Sequence, residues 1–323
     1  MLFIGGTGII SSACVALAVE RGLEVTVLNR GRTAIRPTPP GVREWHGDVA
    51  DGDALGRLIG TETFDAVADF TVFHPDQLGN RLAALDGRLG QYVFISSASA
   101  YQTPPNRLPV TESTPLRNPY WEYSRNKIAV EDALIQAYRS DGLPVTIVRP
   151  SHTYDRTSIP LHGGWTVLAR MRAGRPIVVH GDGTSLWTLT HHTDFARGFV
   201  PLLGNPLAIG EAFHITSDDV LCWNQIAEAL GDAAGVRPAL VHVTSDAIAA
   251  DDAAWGASLL GDKTHSMVFD NSKIRSLAPD FGTTIRYPEG ARETVAWYDA
   301  DPARQVVDAD HDAQFDRLVA RFG

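Results

Sequence analysis

Residues 2–11, LFIGGTGIIS, constrain the fold more than any other stretch of the chain. Three apolar residues run into a glycine turn, and the turn opens directly into a helix-forming segment, IISSACVALAVERG. The spacing Gly5-x-x-Gly8-x-x-Ser11 sets small residues at three points with different roles. The first glycine permits the tight turn, and the second lets the backbone approach a pyrophosphate. The third small residue keeps the helix close to the sheet, and the helix N-terminus supplies amide donors. Serine at the third place is a departure from glycine that still allows fairly close packing. Gly5, Thr7, Gly8 and Ile9 are therefore the expected phosphate cradle.

The same region bears a second reading. Residues 1–19 carry no charge, which suits a signal peptide or a membrane span. No basic segment precedes the apolar run, however, and three glycines interrupt it. A short buried strand, a glycine turn and a buried helix account for it better.

Past the glycine turn and its helix, the first half of the chain alternates two periodicities. β-Branched runs stand at EVTVLN (24–29), DAVADF (65–70), YVFISS (92–97) and PVTIVRP (144–150). Helical stretches lie between them, at ALGRLIG (54–60), QLGNRLAAL (77–85) and EYSRNKIAVEDALIQAYRS (122–140). Strands alternating with crossover helices predict a doubly wound α/β fold, a parallel Rossmann-type sheet covered on both faces. After Pro150 the pattern loosens into Gly- and Pro-rich loops around HGGWTVLARMRAG (162–174), TDFARGFVPLLG (193–204) and CWNQIAEALGDAAG (222–235). No repeat or flexible linker separates the halves. The expected division is a nucleotide-binding domain of 1–155 plus about 175–215, with a smaller, interleaved α/β substrate lobe of about 156–174 and 216–323.

Composition narrows the partners. The chain has 323 residues, 44% hydrophobic and 20% charged, as an ordinary globular protein does. A formal charge of −10 argues against nucleic acid and against an anionic membrane surface. The two cysteines, Cys14 and Cys222, are far apart and in no metal-ligand spacing, so a cytoplasmic setting with free thiols is expected. The expected partner is a small-molecule substrate, with a homodimer as an open alternative to a monomer.

About twenty residues beyond the glycine turn, the second β-run ends in Asn29-Arg30-Gly31-Arg32. An acidic side chain there would accept from the adenosine ribose hydroxyls. A neutral Asn followed by arginines suits a 2′-phosphate instead, which favours NADP over NAD. Asp48, in HGDVAD, is placed either to meet the adenine ring or to cap the next helix.

Tyr123 and Lys127 are one helical turn apart in PYWEYSRNK and share a face. Free tyrosine titrates near pH ~10, too high for ready proton exchange at neutrality, and a nearby ammonium would lower that value. The strand YVFISS ends in Ser96-Ser97, and a hydroxyl at that carboxyl end faces the crevice where open parallel sheets bind ligands. Ser97 would hold the substrate oxygen, Tyr123 would exchange its proton, and Lys127 would tune the phenol and hold the nicotinamide ribose.

With GGTGIIS, ISSASAY, YSRNK, VRPSHTY, GDGTSLWTLTHHTDFA and DNSKIRSLAPDFG in this order, the chain resembles the extended short-chain dehydrogenase/reductase superfamily, in its NAD(P)-dependent epimerase/dehydratase branch. The resemblance implies Ser97, Tyr123 and Lys127 as catalytic residues, with Ser99 next in line. It also exposes departures. The Asp-Glu pair of nucleotide-sugar 4,6-dehydratases reads Ala98-Ser99 here, so water elimination is not expected. The arginine that pairs with a diphosphate after the GDG turn is Trp187, and the usual YGP reads Tyr154-Asp155-Arg156, which disfavours a nucleotide sugar. The pattern is similar to atypical members of the superfamily, including a chloroplast-type RNA-binding branch.

Ser99, His152, Tyr154 and Trp187 are candidate substrate residues, His152 and Trp187 serving equally well as packed interior. His180, His191, His192 and Asp194 lie close in sequence, but adjacent histidines diverge on any regular element, so no metal site is expected. The function anticipated is NAD(P)-dependent redox chemistry at a carbonyl or alcohol carbon of a sugar-like or other small polar substrate. It would be an epimerase or an NADPH-dependent ketoreductase of secondary metabolism; the rival is a non-catalytic nucleotide- or RNA-binding scaffold.

Overall fold

The β-branched and aromatic runs of the first half form strands, and the stretches between them wind into helices, as a computed structural model shows for residues 1–31 and 35–323. In chain order come β1 (Leu2–Ile4), α1 (Ile9–Glu20), β2 (Thr26–Asn29), β3 (Arg43–His46), α2 (Gly52–Ile59) and β4 (Val67–Asp69). Next are α3 (Asp76–Leu85), β5 (Tyr92–Ile95), α4 (Glu122–Asp141) and β6 (Val145–Pro150). The second half supplies β7 (His152–Tyr154), α5 (Trp165–Arg172), β8 (Ile177–His180), β9 (Leu186–His191), α6 (His192–Phe199) and β10 (Ala212–Ile215). It ends with β11 (Val220–Cys222), α7 (Trp223–Ala233), β12 (Leu240–Val243), α8 (Ser245–Asp251), α9 (Ala253–Ser258), α10 (Ser272–Leu277), α11 (Tyr287–Asp299) and α12 (Ala309–Phe322).

Seven strands form one parallel sheet in the order β10-β6-β5-β4-β1-β2-β3. Its central strands β1, β4, β5 and β6 are buried throughout, because helices cover both faces. One face packs against α1 and α6 around Phe3, Val27, Phe195 and Phe199. The other packs against α2, α3 and α4 around Ile4, Leu55, Leu85 and Val130. The chain turns from β1 outward to β2 in one direction and returns to β4 in the other. That reversal opens a crevice at the carboxyl ends of β1 and β4, where doubly wound sheets hold ligands.

A separate core gathers Tyr154, Trp165, Trp187, Trp223, Tyr287 and Phe315 beneath the second half of the chain. Two small sheets frame it, β11-β9-β7 and β12-β8. The strands of residues 175–215 divide between sheets. Ile177–His180 and Leu186–His191, anticipated in the nucleotide-binding domain, pair in these small sheets instead. Ala212–Ile215 alone of that segment's strands joins the large sheet, beside β6. Gly181 and Gly183 both take positive φ and form the tight turn that leads from β8 to β9. The acidic tail docks through α12, whose Asp312 and Asp316 meet Arg170 and Arg175.

Candidate active site

The glycine turn is built around Ser11. Its hydroxyl donates to the Gly5 carbonyl at 2.6 Å and accepts the Gly8 amide at 2.8 Å, so the serine at the third place ties the turn to the first turn of α1. Gly5 sits at φ 84°, and a Cβ there would lie 2.5 Å from Thr71 Cγ2. A Cβ on Gly6 would lie 2.6 Å from Val27 Cγ1. The bare backbone therefore lies flat over the ends of β2 and β4 and leaves a cradle for a pyrophosphate.

That cradle floors a crevice of about 1190 Å³. Gly5, Thr7, Gly8, Ile9, Asn29, Arg30 and Asp48 line it, together with Ser97, Tyr123 and Lys127. Arg32 lies outside the described residues. Asn29 faces the turn, its Oδ1 3.5 Å from Thr7 Oγ1. Asp48 accepts the Ala50 amide at 3.0 Å, and the cap of α2 is Asp51, so Asp48 is not the helix cap. Arg36, which sequence reasoning missed, also lines the crevice; its guanidinium donates to Asp155, just beyond β7, at 2.6 Å.

Three consecutive turns of α4 carry Tyr123, Lys127 and Glu131 on one face. Lys127 is 2% exposed, and its ammonium donates to the Val72 and Ile95 carbonyls at 2.7 and 2.8 Å. Burial pulls its pKa down to about 8, with Asp69 and Glu131 pulling the other way. Tyr123 packs on Trp121, ring centres 4.8 Å apart. Burial pushes its phenol up to about 12, the neighbouring Ser97 hydroxyl partly offsetting this while Asp262 adds to it. This corrects one expectation. Lys127 does not lower the phenol in the resting protein, because its Nζ stands 5.8 Å from the ring centre and its protons are directed at two carbonyls.

Ser97 caps a short turn after β5 and accepts the Ser99 amide at 3.2 Å. Its Oγ lies 2.9 Å from Ser99 Oγ, which accepts the Ser124 hydroxyl at 2.7 Å. Donation in the order Ser124, Ser99, Ser97 leaves the Ser97 proton free for the crevice. Ser99 is thus 3% exposed behind Ser97. Asn118, unnoticed in the sequence, donates to the Ser99 and Gly261 carbonyls at 2.9 and 2.6 Å and accepts the Trp121 amide at 3.0 Å.

A cavity of about 220 Å³ opens beside Ser97 and Tyr123, and Ser99, His152 and Trp187 line it. Trp187 Nε1 donates to His152 Nδ1 at 3.2 Å, and burial lowers His152 to about 3, so the imidazole is neutral. Tyr154 does not line this cavity and is corrected to core. It is fully buried, packed on Tyr287 with ring centres 5.4 Å apart. Two residues beyond His152, the same side of β7 is roofed by α11, where Gly290 lets the tyrosine ring in. His180 bonds the Lys263 carbonyl and His191 bonds Thr193; among the described residues no three His, Cys, Asp or Glu side chains converge on a metal position. Among those residues no helix is long and apolar enough to cross a membrane.

The buried ammonium gives a stability test. A folded pKa near 8 against 10.5 for free lysine means burial disfavours the charged form by about 3 kcal/mol at neutral pH. Lys127→Met removes that penalty but leaves the Val72 and Ile95 carbonyls without this donor, which costs back roughly 2 kcal/mol. Lys127→Met should therefore melt no lower than the parent, and roughly 2–4 °C higher for each kcal/mol gained. Between pH about 8 and 10.5 the unfolded chain holds more protons than the folded one, so parent stability rises with pH across that window and is lost as pH falls through about 8. Melting curves from pH 7.5 to 10 should show this rise in the parent and not in the variant; identical slopes would reject the assignment.

Residues 1–216 match the model of the NAD dependent epimerase/dehydratase family. Over its whole length the chain is 30% identical to 2'-dehydrokanamycin reductase of Streptomyces kanamyceticus, 90% of which it covers. It is also 30% identical, over 75% of its length and 65% of the relative's, to the chloroplast stem-loop binding protein of 41 kDa b of Arabidopsis thaliana. Among solved structures, UDP-glucose 4-epimerase from Bifidobacterium longum in complex with NAD+ and UDP has the same fold, with TM-score 0.75 at 18% identity over 94% of this chain and 99% of that one.

Proposed function

The chain belongs to the NAD dependent epimerase/dehydratase family, and from that premise we propose that it reduces the carbonyl of a small polar substrate with NADPH, by way of Ser97, Tyr123 and Lys127. The observation that carries this reading is the meeting of all three side chains with the glycine cradle in one crevice. The nucleotide would lie along Gly5, Gly8 and the first turn of α1, with its adenosine end at Asn29 and Arg30. When bound, it supplies the hydride.

The protein's own groups manage the oxygen. Ser97 donates to it and fixes its direction. Tyr123, kept protonated by burial, gives up its proton as negative charge grows there, a task for which a phenol near 12 remains far more acidic than an alcohol. Lys127 presents its ammonium to the ribose. A high phenol pKa suits proton donation, which favours reduction over alcohol oxidation at neutral pH. An epimerase would run both steps and retain its nucleotide.

Arg30 is exposed at the adenosine end, with Glu44 on the neighbouring strand. A charge-assisted bond from Arg30 to the 2′-phosphate would make NADPH bind at least about tenfold tighter than NADH. Fluorescence titration should show that preference in the parent and its loss in Arg30→Ala, with NADH affinity unchanged. NADH bound as tightly as NADPH by the parent would assign the cofactor to NAD. Failure to bind either would sink the enzyme reading and leave the scaffold. With binding in hand, NADPH oxidation across a panel of carbonyl compounds separates a reductase from an epimerase.

A further inference from the structure

The small cavity beside Tyr123 combines an aromatic and a polar lining. Trp121, Trp187 and Phe269 line it together with the hydroxyl residues Ser97, Ser99, Ser151, Thr153 and Thr188. Trp187 Nε1 is occupied by His152, so that indole presents only carbon to the cavity. The polar floor is Asp262 and Lys263, whose side chains are 16% and 20% exposed and whose charged atoms stand 3.5 Å apart. The segment is fixed from behind by Asn118, which also holds Ser99 and the start of α4. One side chain thus ties the floor segment to Ser99 and to the start of α4.

Size and charge restrict the occupant. About 220 Å³ is smaller than the ~300–1,000 Å³ of sites that take drug-sized ligands, and it accommodates a single ring. Beyond His152 and Lys263 a second cavity of about 200 Å³ continues among His162, His180 and Trp255. A diphosphate buried here would need guanidinium or ammonium partners. Lys263 is the one lysine or arginine among the described residues lining either cavity, and Asp262 already neutralises it. Burial holds His152, His162 and His180 below their ordinary titration range, so they add no positive charge at neutral pH. Aromatic faces match the C–H faces of a saturated ring, and an acid beside a base matches hydroxyls that both donate and accept.

We propose that this cavity is a recognition subsite for an uncharged sugar-like ring carried without a nucleoside diphosphate, with Asp262 and Lys263 reading its hydroxyls. The proposal rests on the reading of the neighbouring crevice as a hydride-transfer site.

The test uses the full chain saturated with NADP+, so that the nucleotide crevice is filled. Saturation-transfer NMR would be recorded with methyl glucoside, galactoside and mannoside, and separately with UDP and UDP-glucose. At least one methyl glycoside should bind, and UDP should not compete with it. Asp262→Asn should weaken that glycoside about tenfold, the loss of one charge-assisted bond, with NADPH affinity unchanged. Lys263→Gln provides the same readout should the first variant fail to fold. UDP-glucose bound tenfold tighter than every glycoside, no glycoside bound at all, or a glycoside indifferent to both substitutions would overturn the proposal. Absence of NADPH binding by the parent would instead remove the reading beneath it, and the two failures are thereby told apart.

Discussion

Tyr123→Phe should lower carbonyl reduction about a thousandfold, within the 10²–10⁴ range for loss of a general acid, while NADPH affinity stays within about twofold of the parent. The substitution removes one oxygen and leaves the ring's packing on Trp121 and Phe73 in place. Cofactor binding should survive because the cradle belongs to Gly5, Gly8 and α1, on the far side of β4 from α4. Stopped-flow turnover and fluorescence titration on the same preparation would make the comparison. A residual rate within about tenfold of the parent would reject Tyr123 as the proton donor. The pH profile adds a second check. With the phenol near 12, the acid form prevails through neutrality, so reduction should not fall with a phenol titration between pH 6 and 9. Alcohol oxidation needs the phenolate and should climb with pH over the same interval.

Glu131→Ala should be the most destabilising single change near the site, costing about 3–5 kcal/mol. Glu131 is fully buried one turn beyond Lys127 and accepts both Nε and Nη2 of Arg149, at 3.0 and 2.5 Å. It also accepts the Ser96 hydroxyl, so one carboxylate joins α4 to the ends of β5 and β6. Removing it strands the Arg149 guanidinium, 4% exposed, over the Tyr101 ring without its counter-charge. Most of the loss is that orphaned charge, since a buried ion pair contributes little net stability beyond its own desolvation. The double variant Glu131→Leu/Arg149→Met should therefore recover most of the stability. Urea midpoints for the three proteins would settle it, and a double variant no more stable than Glu131→Ala would show that the pair itself, not the stranded charge, carries the energy.

These two expectations fall on one helix face, and the sequence disclosed only part of it. Tyr123 and Lys127 were legible because four residues make one helical turn. Glu131 repeats the same spacing in YSRNKIAVE, and Arg149 stands in the strand run PVTIVRP, yet neither announced the other. Their pairing crosses from a helix to the next strand, and only packing decides such contacts. Tyr120, the other tyrosine of PYWEYSRNK, precedes the helix and is 45% exposed, so it is not on the helix face that carries Lys127.

The sheet was read from its strands with small errors at the ends. EVTVLN shrinks to Thr26–Asn29, and DAVADF to Val67–Asp69. The second half was harder. β7, β9 and β11 are three to six residues long and owe their pairing to partners tens of residues away. Tyr154 shows the consequence: its place after β6 suggested a substrate contact, and the roof supplied by α11 made it core.

By itself the sequence determined the doubly wound sheet, the glycine cradle and the helical pairing of Tyr123 with Lys127. All three arise from local spacing, in which side-chain period and backbone freedom are set by neighbours a few residues away. Only the tertiary structure decided how those groups are tuned. It turned Lys127 toward two carbonyls, raised the phenol by burial, and brought Asp262 from more than a hundred residues downstream to the side of Tyr123. Burial and long-range charge are properties of what surrounds a residue in space, and no local pattern encodes them.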